Sequence, residues 1–515
     1  MLDYLRRLVT TGFAYTAASV VSKVIAVLLL PLYTSYLTPA DYGQAELLFS
    51  TVVAASIVIR LGLIEALMRF YYLPGERGDR VIATGFAALL WTTTAGAIVA
   101  LPFASQIGDA ISGEPLDPGL VRIAIGGLWV LTLYEYMVTL FRLDERARAY
   151  FAFTIGNVLL AIPLTVTLVV ALDAGAEGLL LGAYLAGLPF LLWLIAAERR
   201  RLALRPDRGL LRRMFRFGLP TMPAEISIYS LAFIDRVIIS HSLGPAQLGL
   251  YGLAFKFSQA IQVVVRGFQL AWPPLAYSIR DDEDARRTYA VVVTAFAALC
   301  GTIVVGMWLE ARWIVRLLAA PDFFDSYEAI GPLALGAALY GIYLALVVIL
   351  GRTGKTQYNF PVTAAATIAN VVLNLLLVPA WGIVGAGVAL TLSYLIVIVL
   401  IHSVSRRIFP IPWQWGRLAV IAAAAAVLIA AGEALLPDAG AAGFLSRLAL
   451  AALYPAILWF GGAVRAAERR QVLELLGPER LRARWAVLRE RRAGESDEEA
   501  RAETLYEQEV RDQRD

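Results

Sequence analysis

Apolar stretches of about twenty residues, separated by short polar breaks, follow one another along almost the whole chain. Each has the length a helix needs to cross a hydrocarbon layer of roughly 30 Å. About fourteen can be marked on that criterion, near residues 11–32, 43–67, 81–103, 119–141, 150–172, 177–196, 218–241, 249–270, 288–309, 328–350, 358–378, 383–404, 416–435 and 444–464. The pattern predicts an all-α polytopic membrane protein. The first stretch follows Arg6 and Arg7; its length and the lack of a convincing cleavage site predict a retained span, not a signal peptide.

The chain also repeats itself. Leu37-Thr-Pro-Ala-Asp-Tyr-Gly43 is echoed by Leu243-Gly-Pro-Ala-Gln-Leu-Gly249, and a constant shift of 206 positions maps Pro39 onto Pro245, Gly12 onto Gly218 and Arg60 onto Arg266. Further on, Gly175-Ala-Glu-Gly178 answers Gly382-Ile-Val-Gly385 at an offset of 207, so the duplication runs from the first stretch to the twelfth. The expected plan is two six-helix repeats around a central cavity, plus two added C-terminal helices. In residue numbers it reads 1–198 for the first bundle, 199–216 for a cytoplasmic linker, 217–407 for the second bundle, 408–464 for the added pair and 465–515 for a charged cytoplasmic tail. In that tail Leu481, Trp485 and Leu488 form an apolar stripe suited to the membrane surface, whereas the acidic end from Glu495 suits a disordered segment.

With 59% hydrophobic residues and only 17% charged, no water-facing surface could be covered, so the bilayer is the solvent. Arginines gather in one set of loops, including Arg69 to Arg80, Arg142 to Arg148, Arg199 to Arg216, and Arg406 with Arg407. The other set holds only Arg312, Arg316 and Arg447 as notable exceptions. This asymmetry predicts that both termini are cytoplasmic. The linker's arginines suit anionic lipid. Cys300 stands alone and there are two histidines, which excludes a disulfide framework and a zinc cluster.

Charged side chains inside such segments mark function, because a charge facing lipid costs several kcal/mol. Lys23 lies on a polar face with Gly12, Thr16 and Ser19; Arg60 lies toward the cytoplasmic third of its segment. Lys256, Gln259, Gln262, Arg266 and Gln269 share one helix face, which in a membrane implies a water-filled or ligand-filled interior. Lys23, Arg60, Lys256, Gln259, Gln262 and Arg266 are therefore the candidate substrate-binding residues. Asp235 and Arg236 read as an internal ion pair, or as a pair formed by Asp235 with Lys256, with a structural or gating role. Glu225 is a candidate coupling switch or a counter-ion for Lys23. Pro220 and Pro223 open their segment with a weakened backbone ladder, the mark of a hinge. Glu65 and Arg69 stand four apart and should pair. Glu135 is a partner for an arginine or a gate.

Six spans per repeat give both halves one orientation, and hence a pseudo-two-fold axis along the membrane normal with a site that opens to either side in turn. Arg60 and Arg266 would then face each other at similar depth, with Lys23 and Lys256 deeper, in a cationic cavity suited to an anion. The twelve-plus-two plan, the Leu-x-Pro-Ala-x-x-Gly turns, Gly62 to Tyr71, and Ile234-Asp-Arg-Val-Ile-Ile-Ser240 with Leu248-Gly-Leu-Tyr251 resemble the Wzx-type polysaccharide flippases of the multidrug/oligosaccharidyl-lipid/polysaccharide exporter superfamily.

That resemblance covers nearly all of residues 1–464. It implies translocation of an undecaprenyl-pyrophosphate-linked oligosaccharide from the inner to the outer leaflet of a bacterial inner membrane. The machinery would lack catalytic residues, bound metal and cofactor, and its coupling could be to H+, Na+ or the membrane potential. The partners implied are the lipid-linked oligosaccharide, the bilayer, and a polysaccharide polymerase with glycosyltransferases, with no role for nucleic acid. Fixed cations suit a pyrophosphate, since guanidinium forks bind phosphate oxygens in pairs. Three alternatives stay open: a lipid II-type flippase, a multidrug or cation antiporter of the same superfamily, and a membrane glycosyltransferase or polymerase. The antiporter needs a carboxylate-dominated cavity. The enzymes need an outer loop larger than the one around Asp109, Glu114 and Asp117.

Overall fold

A computed structural model describes residues 25–465, together with Val21 and Arg469. Lys23, most of the first apolar stretch and the C-terminal tail lie outside the described residues. We label the main helices α1 (Pro39–Arg60), α2 (Leu63–Phe70), α3 (Gly78–Ala100), α4 (Pro118–Leu143), α5 (Ala147–Val166), α6 (Gly175–Ala197), α7 (Arg208–Gly218), α8 (Met222–Ser258), α9 (Gln262–Ser278), α10 (Asp282–Leu309), α11 (Ala311–Leu318), α12 (Tyr327–Arg352), α13 (Asn359–Ile408), α14 (Trp415–Leu435) and α15 (Gly440–Phe460). Among the described residues, eleven helices or runs of helices are long and apolar enough to cross a membrane. Large apolar side chains such as Ile98, Trp193, Ile368, Leu376 and Val427 stand exposed along them, a surface suited to lipid and not to water.

Two of the long helices double back. Gly244 (φ 81°) breaks α8 and Gly382 (φ 60°) breaks α13. The Tyr251 hydroxyl reaches Asp235 at 2.5 Å, although sixteen residues of straight helix would separate them by roughly 24 Å. A methyl group on Gly385 would lie 2.1 Å from the Leu377 carbonyl oxygen, so the chain reverses at Gly382 in the same way. Glycine supplies the positive φ that other residues resist. The two reversals account for the separate apolar stretches 218–241 with 249–270, and 358–378 with 383–404.

The repeat motif starts α1 and the second limb of α8 in related ways. Thr38 caps α1 by accepting from the Asp41 amide at 3.1 Å, while the Asp41 carboxylate accepts from the Thr38 amide, and Pro39 takes the first turn. In the second copy Gly244 and Pro245 hold those positions. The two motifs meet face to face. A methyl on Gly43 would sit 1.9 Å from the Pro245 carbonyl oxygen, and one on Gly249 would sit 1.9 Å from that of Pro39. This contact is reciprocal under the 206 shift, as a pseudo-two-fold axis requires. Only glycine lets the backbones come so close.

At the other end of α1 the chain breaks at Leu61 (φ 50°) and Gly62 (φ 68°). A methyl on Gly62 would lie 2.1 Å from the Gly218 carbonyl oxygen, so the end of α7 meets the first bundle backbone to backbone. Within the linker region Asp207 caps α7 by accepting from the Leu210 amide at 2.8 Å, and Leu210 and Met214 are buried in the core of the first bundle. A 3-10 turn, Leu219–Thr221, then joins α7 to α8. Pro220 lies in that turn and Pro223 in the first turn of α8.

A network around Arg201 ties the arginine-rich rim together. Its guanidinium donates to Asp144 at 2.7 Å and to Asp79 at 2.8 Å. Partial burial pushes the Asp144 carboxyl up, yet hydrogen bonds from Arg201 and Tyr71 hold it below the usual carboxylate range. On the arginine-poor side, the exceptional Arg312 and Arg447 both bind Glu433, at 3.0 and 2.9 Å. The pair α14 and α15 shares a core with α10 through Val305, Leu309, Ile421 and Tyr454. Glu65 and Arg69 do not pair; Arg69 instead stacks over the Phe217 ring at 4.3 Å.

Candidate functional site

The seam between the halves is built chiefly by α1 against α8, and two groups of charged side chains cross it. In the first, at the arginine-rich end, Arg60 donates through Nη1 to Glu135 of α4 at 2.8 Å and through Nη2 to Glu225 of α8 at 3.0 Å. Its Nε donates to the Ser56 carbonyl at 3.2 Å. One cation therefore bridges two carboxylates, one from its own bundle and one from the other. The Arg60 side chain is 13% exposed, while Glu135 and Glu225 are 40% and 36% exposed, so the acids open onto space and the guanidinium does not.

The second group lies roughly 20 Å away along α1, at 1.5 Å per residue. There Glu46 of α1 receives Arg236 at 3.3 Å and Lys256 at 3.4 Å, both from α8. Lys256 also donates to the Tyr42 hydroxyl at 2.5 Å. Here one carboxylate bridges two cations, and Glu46 and Arg236 are only 11% and 6% exposed. The shift of 206 puts Gly252 opposite Glu46, and a methyl on Gly252 would sit 2.9 Å from the Glu46 Cγ. Glycine in the second copy makes room for the carboxylate of the first.

Beside this group Asp235, fully buried, accepts from Tyr251, and its Oδ1 has no hydrogen-bond partner among the described residues. Buried Asn370 and Asn374 of α13 also carry unpartnered polar atoms. The Thr367 hydroxyl donates to the Ser227 carbonyl at 3.2 Å. The first limbs of α8 and α13 both start from the arginine-rich side and so run parallel. Eight residues beyond that contact stand Asp235 on one limb and Leu375 on the other, which sets Asn374 near the level of Asp235.

The structure corrects several expectations. Asp235 and Arg236 form no internal pair: Arg236 turns to Glu46 and Asp235 to Tyr251, because neighbours on a helix point about 100° apart. Glu225 faces Arg60, while its place beside Lys23 falls outside the described residues. Among the described residues, the four cations Arg60, Arg236, Lys256 and Arg266 are equal in number to the acids Glu46, Glu135, Glu225 and Asp235, while Lys23 lies outside them. Arg60 and Arg266 occupy unlike settings, since Arg266 is exposed and has no ion pair among the described residues. Its charge acts on Tyr340, which packs against Tyr343 and Tyr394. Gln262 is buried and Gln259 half-buried in the 3-10 turn (Gln259–Ile261) and first turn of α9. Sequence reasoning misses Glu46, although it is a lone carboxylate in an apolar stretch, one helical turn from Tyr42.

Two groups of ion pairs inside apolar helices thus join α1 to α8. The model resembles a solved structure of the lipid II flippase MurJ in an inward closed conformation, with TM-score 0.69, 12% identity and coverage of 87% of this chain and 97% of that one. It also resembles an inward-facing multidrug resistance MATE family transporter of the MOP superfamily, with TM-score 0.61, 14% identity and coverage of 78% and 99%. A family model described as polysaccharide biosynthesis protein matches residues 34–328, and the chain belongs to that family. Protein 1 of the Lsg locus of Haemophilus influenzae is 22% identical over 273 residues, or 51% of this chain. The match spans 64% of that relative's length.

Proposed function

We propose that this chain is a flippase that carries an undecaprenyl-pyrophosphate-linked oligosaccharide from the inner to the outer leaflet by alternating access, with the arginine-rich rim in the cytoplasm. The observation that carries the reading is the pair of charged groups on the seam, in a member of a polysaccharide biosynthesis family. Closing one group and opening the other would expose a central path to one side at a time. A pyrophosphate arriving from the cytoplasm would compete with Glu135 and Glu225 for Arg60, with Arg266 at similar depth, then meet Lys256 deeper, with Gln259 and Gln262 offering neutral hydrogen bonds to sugar. An inside-negative potential favours moving negative charge outward by about 2.3 kcal/mol per charge per 100 mV. Asp235, with a buried oxygen lacking a partner, is the candidate for coupling to H+ or Na+. The division into bundles, linker and tail is part of this proposal, as are the inner-membrane location and the polymerase and glycosyltransferase partners.

The test is a reconstituted assay in which a labelled polyprenyl-pyrophosphate disaccharide becomes accessible on the far leaflet. Neutralising Arg60 and Arg266 together should stop translocation while the protein still inserts and folds; full activity in that double variant removes the proposed site. The balance of charge gives the drug or cation antiporter a specific observation in its favour, because Glu46, Glu135, Glu225 and Asp235 supply the carboxylates it needs. Uptake of organic cations that depends on those four acids, with no lipid movement, would establish it.

A further inference from the structure

Between the second bundle and the added helix pair lies a cleft that the seam does not use. Its volume is about 400 Å³, and its walls are apolar, with Ala297 of α10, Ala338 and Leu346 of α12, and Leu418 of α14 among them. The α12 wall runs from Leu335 to Leu346, which is roughly 16 Å at 1.5 Å per residue and about half a hydrocarbon core. The cleft is therefore as deep as one leaflet. It begins at the arginine-rich rim, where His402, Trp413 and Trp415 line it.

That mouth is chemically defined. Trp413 Nε1 donates to His402 Nδ1 at 3.0 Å. An indole nitrogen can only donate, so Nδ1 accepts and the neutral ring carries its proton on Nε2 as a donor. Arg406 stands one helical turn beyond His402 and is exposed. Trp415, 62% exposed, meets the His402 ring edge-on with centroids 5.5 Å apart. Indole rings and arginines at this level suit the headgroup region of a leaflet. Inside, the helix α14 meets α10 through Ile421 and Leu428 and presents Leu418, Ile421, Ala422 and Ala425 to the cleft. Water does not fill a space with such walls, and leaving it empty forfeits the contacts of every wall atom.

We propose that this cleft binds one anionic glycerophospholipid, with an acyl chain between α12, α13 and α14 and its phosphate held by His402 Nε2 and Arg406. The lipid completes the packing of the added helix pair. This assignment does not depend on what crosses the seam.

The experiment uses the full chain in detergent. Retained lipid is identified by mass spectrometry, and phosphatidylglycerol is titrated while thermal unfolding is followed. Ala338→Phe fills the cleft, and Arg406→Gln removes the charge at an exposed position. The wild type should retain phosphatidylglycerol through delipidation and unfold at higher temperature when it is added back. R406Q should need roughly tenfold more lipid for the same shift, as for loss of one charge-assisted hydrogen bond, and A338F should lose both retention and shift. If A338F does not fold, R406Q decides the matter alone. Equal responses from wild type and R406Q, or full retention by A338F, overturn the assignment. So does displacement of phosphatidylglycerol by a polyprenyl phosphate at lower concentration, which would make the cleft a polyprenyl site.

Discussion

The two charged groups on the seam are mirror images in charge. At the arginine-rich end one cation serves two carboxylates, Glu135 and Glu225; nearer the repeat motif one carboxylate serves two cations, Arg236 and Lys256. The first opens its acids to surrounding space, whereas the second is closed around a nearly buried Glu46. Exposure decides what each can do. Water can take over from either acid on Arg60, so that group can come apart at modest cost. Freeing Arg236 from Glu46 would strand a charge in low dielectric. The seam has one clasp that can open and one that holds in this state.

The largest effect expected comes from breaking the closed group. Glu46→Gln leaves two cations facing a neutral amide and should destabilise the protein by about 3 kcal/mol, the scale for removing one member of a buried pair, read as a lowered unfolding temperature in detergent. The contact that brings this group together is the next target: Gly249→Val pushes a side chain into the Pro39 carbonyl and should cost about 2 kcal/mol as overpacking, with inter-half crosslinking yields lowered alongside. Neutralising Glu225 should cost about 1 kcal/mol or less in stability, since Arg60 keeps Glu135 and the site is half open. It should nonetheless change translocation, and a double-mutant cycle with Arg60 should show coupling. Coupling for Arg60 and Glu225 as large as that for Arg236 and Glu46 would erase the contrast between the two groups.

The smallest effect expected lies away from the seam and serves as its control. Glu310, between α10 and α11, is 8% exposed with both carboxylate oxygens unpartnered among the described residues. Burial pushes its carboxyl up to about 7, against the pull of Arg447. A folded-state value above the ordinary 4.5 means that the folded state binds the proton more tightly than the unfolded one. Its contribution is thus most favourable at low pH and is lost as pH rises from about 4.5 through about 7. Glu310→Gln should therefore raise stability at pH 8 by roughly 1 kcal/mol and leave it unchanged near pH 5. Thermal melts at the two pH values, with translocation unchanged, check both halves of that statement.

The sequence shows which residues are charged in oil, but not which of them meet. Apolar length, the 206 shift and the paired glycine motifs are local or periodic, so span positions and the repeat can be read from the chain. Pairing depends on which face of α8 meets α1, and that is tertiary. Asp235 and Arg236 mislead because sequence neighbours diverge around a helix. Glu65 and Arg69 mislead in another way: their spacing suits a pair, but Phe217 of α7 supplies a ring for the guanidinium to cover. Glu46 is legible in principle, as the acid whose counterpart under the shift is Gly252, once the copies are compared by their acids as well as by their bases.

Gly252 stands where the other copy carries a carboxylate, and this makes the two halves complementary at that level and not interchangeable. Two first halves placed together would confront acid with acid at that level, with neither Arg236 nor Lys256 to reconcile them. Two second halves would gather four cations around an empty notch. At this level each half fits the other and not a second copy of itself.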